Sequence, residues 1–305
     1  MVRRDQASKP RRAWGQHFLV NTGACETIVR AFRPQSDDRV LEIGPGRGAL
    51  TRRLVGRVGR LLAIEVDPDL AAELRRELCQ GADPGRLDLV EGDVLENDLD
   101  ALLTRLGVDA THPGRVIANL PYNIATAVIL CLLGMHGRIR DLLLMVQREV
   151  AERMTSPPGR KSYGSLTVLC QAFARVESIL TLGPGSFRPP PKVDSAVVRL
   201  TLHDPGGAAG RDRAAFTALV RTAFEQRRKT LLNNLARLPR GAAPTTAAPF
   251  LGRLVAERLI RAADLDPRHR AEVVPVGGFL ALAERLAAVG APGRYNPPGD
   301  QALPE

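Results

Sequence analysis

From about residue 39 the chain repeats one pattern: a short, almost uninterrupted apolar run, a turn, then a longer stretch with apolar residues at helical spacing. The runs are Arg39–Ile43, Leu61–Glu65, Leu87–Glu91, Arg115–Ala118 and Asp141–Gln147, and helical patterns lie around 48–57, 68–79, 97–106 and 124–133. This alternation predicts a mostly parallel sheet with helices on both faces. After the proline-rich loop Phe187-Arg-Pro-Pro-Pro-Lys192, the strand-like segment Val193–Leu202 is expected to close the sheet. A glycine-rich break at Asp204–Gly210 then ends the alternation. Beyond it the pattern is helical only, over Arg213–Phe224, Lys229–Leu238, Phe250–Ala262 and Val276–Val289. The loop Pro239–Pro249 reads as mobile. The expected organisation is an N-terminal arm and first helix over 1–36 belonging to the first domain, an α/β domain over 37–204, a small helical domain over 211–290, and a disordered tail over 291–305.

Composition adds limits. Of the 305 residues, 44% are hydrophobic and 25% charged, as in an ordinary globular protein. The longest apolar run, Ala127–Leu133, is far too short to span a bilayer, and the N-terminus has basic residues without an apolar signal core. Cys25, Cys79, Cys131 and Cys170 are scattered with no C-x-x-C pair, and the five histidines have no ligand-spaced partner. No metal site and a reducing, cytoplasmic location are expected. The net charge of +10 calls for an anionic partner, either nucleic acid or a membrane surface. Basic residues gather at Arg3, Arg4, Lys9, Arg11 and Arg12, and again at Arg227-Arg228-Lys229. Phosphate contact is the preferred reading of the second cluster; the alternative is ion pairing with acids of the first domain.

The strand ends carry the candidate chemistry. The first strand runs into Gly44-Pro-Gly46-Arg-Gly48, a turn that lets backbone approach a ligand and opens a helix N-terminus. Glu65 ends the second strand, 21 residues after Gly44, where a ribose diol sits in Rossmann-like folds. Asp93 follows the third strand and can accept from an adenine amine. The spacing G-P-G-R-G departs from the dinucleotide fingerprint G-x-G-x-x-G. S-adenosylmethionine, with ribose and adenine but no phosphate, suits these acids better. The fourth strand ends in Asn119-Leu120-Pro121-Tyr122. An exocyclic base amine is a poor nucleophile, and a site helps by accepting its hydrogens, here through the Asn119 oxygen and a backbone carbonyl near Pro121. Tyr122 then offers a stacking face. Phe187, held before three prolines, is either a second stacking ring or a loop aromatic packed onto the sheet. Trp14 and Tyr163 are weaker stacking candidates, since such rings more often anchor cores.

With these residues in hand, the chain closely resembles the ribosomal RNA adenine N6,N6-dimethyltransferase family, in the KsgA branch that modifies small-subunit rRNA. The resemblance runs from about Arg12 to about Val289. It rests on Gly15-Gln-His-Phe-Leu19, Glu42-Ile-Gly-Pro-Gly46, Glu65-Val-Asp67, Asn119-Leu-Pro-Tyr-Asn123, Phe187-Arg-Pro-Pro-Pro-Lys-Val-Asp-Ser195 and Ala223-Phe-Glu-Gln-Arg-Arg-Lys-Thr230. It implies a Rossmann-like class I S-adenosylmethionine-dependent methyltransferase sheet with a small C-terminal α-helical domain. It places cofactor contacts at His17, Leu19, Gly44, Gly46, Glu65, Asp93 and Asn119, and puts the target adenine between Asn119, Tyr122 and Phe187. It further implies dimethylation of two adjacent adenines near the 3′ end of 16S rRNA, within a partly assembled 30S particle; a monomer is expected, and the net charge makes Arg11, Arg12, Arg227, Arg228 and Lys229 the residues expected to grip phosphates. One departure is His17, where the family usually has Asn; a backbone contact survives that change, whereas a side-chain contact need not. The nearest alternative is a large-subunit (23S) rRNA adenine methyltransferase of the antibiotic-resistance type. Others are a non-catalytic RNA-binding assembly or transcription factor of this fold, and a nicotinamide dehydrogenase.

Overall fold

The computed structural model describes residues 16–78, 87–239 and 250–290. Arg11, Arg12, Trp14, Cys79, the 240–249 part of the expected loop and the 291–305 tail lie outside the described residues. Two compact units are present, one of Met1–Thr155 with Phe173–His203, the other of Ser156–Ala172 with Asp204–Glu305.

The first unit holds a seven-stranded sheet. Its elements in chain order are β1 (Phe18–Leu19), α1 (Thr22–Phe32), β2 (Arg39–Ile43), α2 (Thr51–Leu54), β3 (Arg60–Glu65), α3 (Pro68–Leu78), β4 (Leu87–Glu91), α4 (Leu99–Leu106), β5 (Gly114–Asn119), α5 (Ala125–Leu133), β6 (Ile139–Gln147) and α6 (Arg148–Met154). Helix α7 (Ser165–Phe173) follows, then β7 (Ala174–Leu182), β8 (Phe187–Arg188) and β9 (Ser195–Leu202). The strand order is β4-β3-β2-β5-β6-β9-β7, with β2 to β6 parallel and β9 and β7 antiparallel. The expected closing strand is therefore not at the edge. β9 inserts between β6 and β7, and β7 is the edge.

The apolar runs explain the central strands. β2, β3 and β5 are buried almost end to end, as parallel strands covered on both faces must be. Helix ends follow local chemistry. Asn21 caps α1 by accepting from the Ala24 amide at 2.9 Å, and Asp98 caps α4 by accepting from Ala101 at 3.1 Å. Apart from the sheet, β1 and β8 form a two-stranded antiparallel ribbon that pairs Phe18 with Arg188 and Leu19 with Phe187.

The second unit carries α7 up to Ala172, α8 (Gly207–Arg211), α9 (Arg213–Phe224), α10 (Leu231–Leu235), α11 (Arg253–Ala262) and α12 (Val276–Gly290). Two expectations are corrected here. The helix read from Lys229 begins at Leu231, because the Thr230 hydroxyl accepts from the Asn233 amide at 3.3 Å and so ends the preceding turn. Residues 156–172, expected within the first domain, belong to the helical unit. Tyr163 shows why: its ring is buried against Phe224, and its hydroxyl donates to the Val274 carbonyl at 2.8 Å. It is a core residue rather than a base-stacking one. Among the described residues no helix is long and apolar enough to cross a membrane.

Candidate active site

Strand order places the site. From β2 the chain steps outward to β3 and β4, then returns to β5 on the other side of β2. Ligands of open α/β sheets bind at such a reversal, outside the carboxyl ends of the strands. A cleft of about 180 Å³ lies there. Gly44, Gly46, Glu65, Asp93, Asn119, Leu120, Pro121 and Tyr122 all line it, with His17 beside them.

The glycine turn is shaped by backbone conformation. Gly46 has φ of +55°, and a Cβ there would come within 3.0 Å of the Phe18 ring. Glu65 pins this turn: its carboxylate accepts from the Gly46 amide at 2.8 Å and from the Asp67 amide at 3.0 Å. Burial raises the Glu65 pKa above the ordinary carboxylate value, and the backbone donors partly offset that shift. Each oxygen keeps a lone pair for a further donor, such as a ribose hydroxyl. Asp93 accepts from the Leu95 amide at 2.8 Å, which holds its carboxylate at the cleft. Between the acids the apolar wall comes from Ile64, Val66 and Val94. Glu42, one strand position before Ile43, is fully buried; burial, with a smaller push from Glu65, raises its carboxyl to about 8.

At the other end, Asn119 donates from Nδ2 to the His17 carbonyl at 3.0 Å. That bond fixes which end of the amide is which, and no group among the described residues engages Oδ1. The Leu120 amide bonds the Met145 carbonyl, continuing the ladder from β5 to β6, while the Pro121 carbonyl accepts from Ile124. Among the described residues no donor engages the Leu120 carbonyl, which leaves it for a ligand. The Tyr122 hydroxyl shares a 2.7 Å hydrogen bond with Ser195, and burial raises its pKa. The His17 ring packs on Tyr122, and its Nδ1 donates to the Pro189 carbonyl at 2.8 Å.

Two expected site residues are elsewhere. Leu19 is buried and lines a smaller cavity behind the glycine turn, not the main cleft. Phe187 has no exposed surface at all and sits in the core cluster with Phe32, Met145 and Leu182. Pairing with Leu19 draws its ring inward, so it presents no stacking face. Sequence reasoning also missed Phe18, Val66, Val94 and the anchoring role of Ser195. An apolar residue, Val66, directly after Glu65 was a readable signal.

In the helical unit, Arg227, Arg228 and Lys229 are exposed. Arg227 donates to the Lys161 carbonyl at 2.7 Å and approaches Glu272 at 3.4 Å, so its acidic partner is in its own unit, not the first domain. Leu231 bonds the His269 carbonyl and Gly159 bonds that of Glu272. Three loops thus converge, adding Arg160, Lys161, Arg268 and Arg270 to the predicted basic run.

The sequence profile described as "Ribosomal RNA adenine dimethylase" matches residues 7–249. The chain belongs to that family. Ribosomal RNA small subunit methyltransferase A of Acidithiobacillus ferrooxidans is 39% identical over 290 residues, covering 95% of this chain and 99% of the relative. A crystal structure of a dimethyladenosine transferase from Plasmodium falciparum superposes with a TM-score of 0.68 at 26% identity, over 87% of this chain and 96% of the other. That of the 23S rRNA methyltransferase ErmE gives 0.61 at 25% identity, over 88% and 99%. The fold is that of class I methyltransferases, as the family resemblance implies.

Proposed function

We propose that this rRNA adenine dimethylase methylates the N6 amines of two adjacent adenines near the 3′ end of small-subunit rRNA, twice each, using S-adenosylmethionine, on a partly assembled small subunit in the cytoplasm. The observation that carries the chemistry is the oriented Asn119 amide, whose Oδ1 is left to accept while Nδ2 is occupied. The residues fit the cofactor. Glu65 suits a ribose diol, Asp93 an adenine amine, Val66 and Val94 an adenine face, and the open backbone at Gly44 and Gly46 the methionine end. When bound, the cofactor supplies an electrophilic methyl group. Asn119 Oδ1 and the Leu120 carbonyl accept the two N6 hydrogens, bringing lone-pair density onto nitrogen, and Tyr122 fixes the base plane. The amine proton leaves to water, so no strong base is needed. The basic loops of the helical unit hold phosphates.

The small-subunit choice draws on the curated relative, and the ErmE likeness makes the large subunit its rival. Labelled cofactor incubated with each purified subunit tests it. Label in small-subunit rRNA, mapped by mass to paired dimethyladenines, is expected; label in the large subunit alone contradicts the proposal.

A further inference from the structure

Phe187 was the natural second ring for the acceptor base, and its burial leaves that role open. The cleft does contain another ring beside Tyr122, that of His17. Ring centroids are 5.5 Å apart and the planes differ by 31°. Stacked bases need about 3.4 Å on each side, so two rings flanking one stand about 6.8 Å apart. The pair is therefore closed: the rings pack on each other, and a base cannot lie between them as they stand.

The imidazole is held from its far side. A carbonyl only accepts, so the 2.8 Å contact to Pro189 makes Nδ1 the protonated nitrogen and fixes the ring's orientation. Tyr122 is in turn held at its hydroxyl by Ser195, which is fully buried at the start of β9. Two contacts, one at the phenol oxygen and one across the ring, determine the Tyr122 plane. His17 also reaches Asn119 through its backbone, whose carbonyl takes the Nδ2 hydrogen. Backbone and side chain of His17 thus act on the two acceptor-side groups separately.

We propose that His17 is a positioning residue for the methyl acceptor: its imidazole, tethered to Pro189, backs the Tyr122 ring and leaves only the opposite face for the target adenine. This rests on the adenine-methylation reading above. A residue that holds the stacking ring acts on the base and not on the cofactor. Its effect also grows across two successive transfers, because a loosely held base escapes after the first.

The test uses the full-length protein and small-subunit particles, comparing His17→Ala, His17→Phe and His17→Asn. Their backbone carbonyl is unchanged, so the Asn119 bond persists in each. His17→Ala is expected to lower kcat for methylation by about three- to tenfold, the worth of an aromatic pair. It should also raise the share of N6-monomethyladenine in the product, with S-adenosylhomocysteine affinity by calorimetry within about twofold of wild type. His17→Phe, which keeps the ring and loses the tether, should recover most of the rate; His17→Asn should not. Recovery by Asn and not by Phe overturns the inference in favour of a hydrogen bond. A fall in cofactor affinity matching the fall in rate overturns it in favour of a cofactor contact, and an unchanged His17→Ala overturns it outright. Failure of the functional reading shows separately, as absence of adenine methylation by the wild-type protein.

Discussion

Arg115 and Asn119 stand at opposite ends of the strand Gly114–Asn119, on the same face, and their surroundings could hardly differ more. Arg115 is buried with Asp38 and Asp141, and every N–H of its guanidinium is used. It donates twice to Asp141 (2.7 and 2.8 Å), once to Asp38 (2.6 Å), and to the Phe32 and Arg33 carbonyls, while its plane covers the Phe32 ring at 4.1 Å. Asn119 makes one bond with its amide nitrogen and leaves its oxygen to the cleft. One end of the strand satisfies its polar groups completely and ties α1, β5 and β6 together. The other end holds polar groups in place with part of their capacity unspent. Closed networks of this kind stabilise and open ones bind, so the same strand serves both ends by how far its partners saturate it.

Breaking the closed end has the largest expected effect. Arg115→Met takes the buried guanidinium from two buried carboxylates and leaves them only the half-exposed Arg140, 3.4 Å from each, which costs about 3 kcal/mol. For a chain of this size that lowers Tm by on the order of 10 °C. Thermal unfolding measures this, and cofactor affinity of the protein that remains folded should not change. A melting temperature within a degree or two of wild type would mean the network is dispensable.

At the open end, Gly46→Ala introduces both a Cβ 3.0 Å from the Phe18 ring and a left-handed conformation that L side chains avoid. A cost of about 1–2 kcal/mol falls on the turn that Glu65 pins. S-adenosylhomocysteine binding by calorimetry should weaken by about tenfold, with global stability reduced less than in Arg115→Met.

Glu42 sharpens the comparison because it is buried near the open end yet unpaired at Oε2 among the described residues. Its carboxyl is raised to about 8 in the folded protein, so the folded state prefers the proton. Its contribution to stability is present in full below the unfolded pKa of about 4.3 and is lost as pH rises through about 8. Glu42→Gln should remove that dependence. Denaturant titrations should show the variant gaining on wild type as pH rises from 5 to 8, by up to about 1.4 kcal/mol per pH unit. Parallel stability curves would contradict the assignment. Glu65, also raised, acts in the same direction and stays constant in the pair.

How much of this was legible in the sequence follows from where each contact is made. The central strands were readable because two-sided burial demands continuous apolar runs. The edge strand β7 was missed because Arg175, Glu177, Ser178 and Thr181 break the apolar run. The acids at successive strand ends were readable from spacing alone. The fate of Phe187 was not, because its burial depends on pairing with Leu19, 168 residues earlier. The His17–Tyr122 pair and the three basic loops are likewise contacts between distant segments, which no local pattern announces.

The smallest expected effect concerns those loops. Replacing Arg227, Arg228 and Lys229 with neutral residues should weaken small-subunit binding and flatten the slope of log affinity against log salt, by about one for every phosphate that is no longer neutralised. An unchanged slope would show that these residues hold no phosphate.

The central claim is that the open end of the β5 strand performs methyl transfer to an adenine amine through Asn119. It is tested most directly by following adenine methylation of small-subunit rRNA with wild type and Asn119→Ala, alongside rRNA affinity. The account predicts a loss of rate on the order of 10²–10³-fold with rRNA affinity nearly unchanged. An Asn119→Ala enzyme that still yields dimethyladenine at close to the wild-type rate would contradict it.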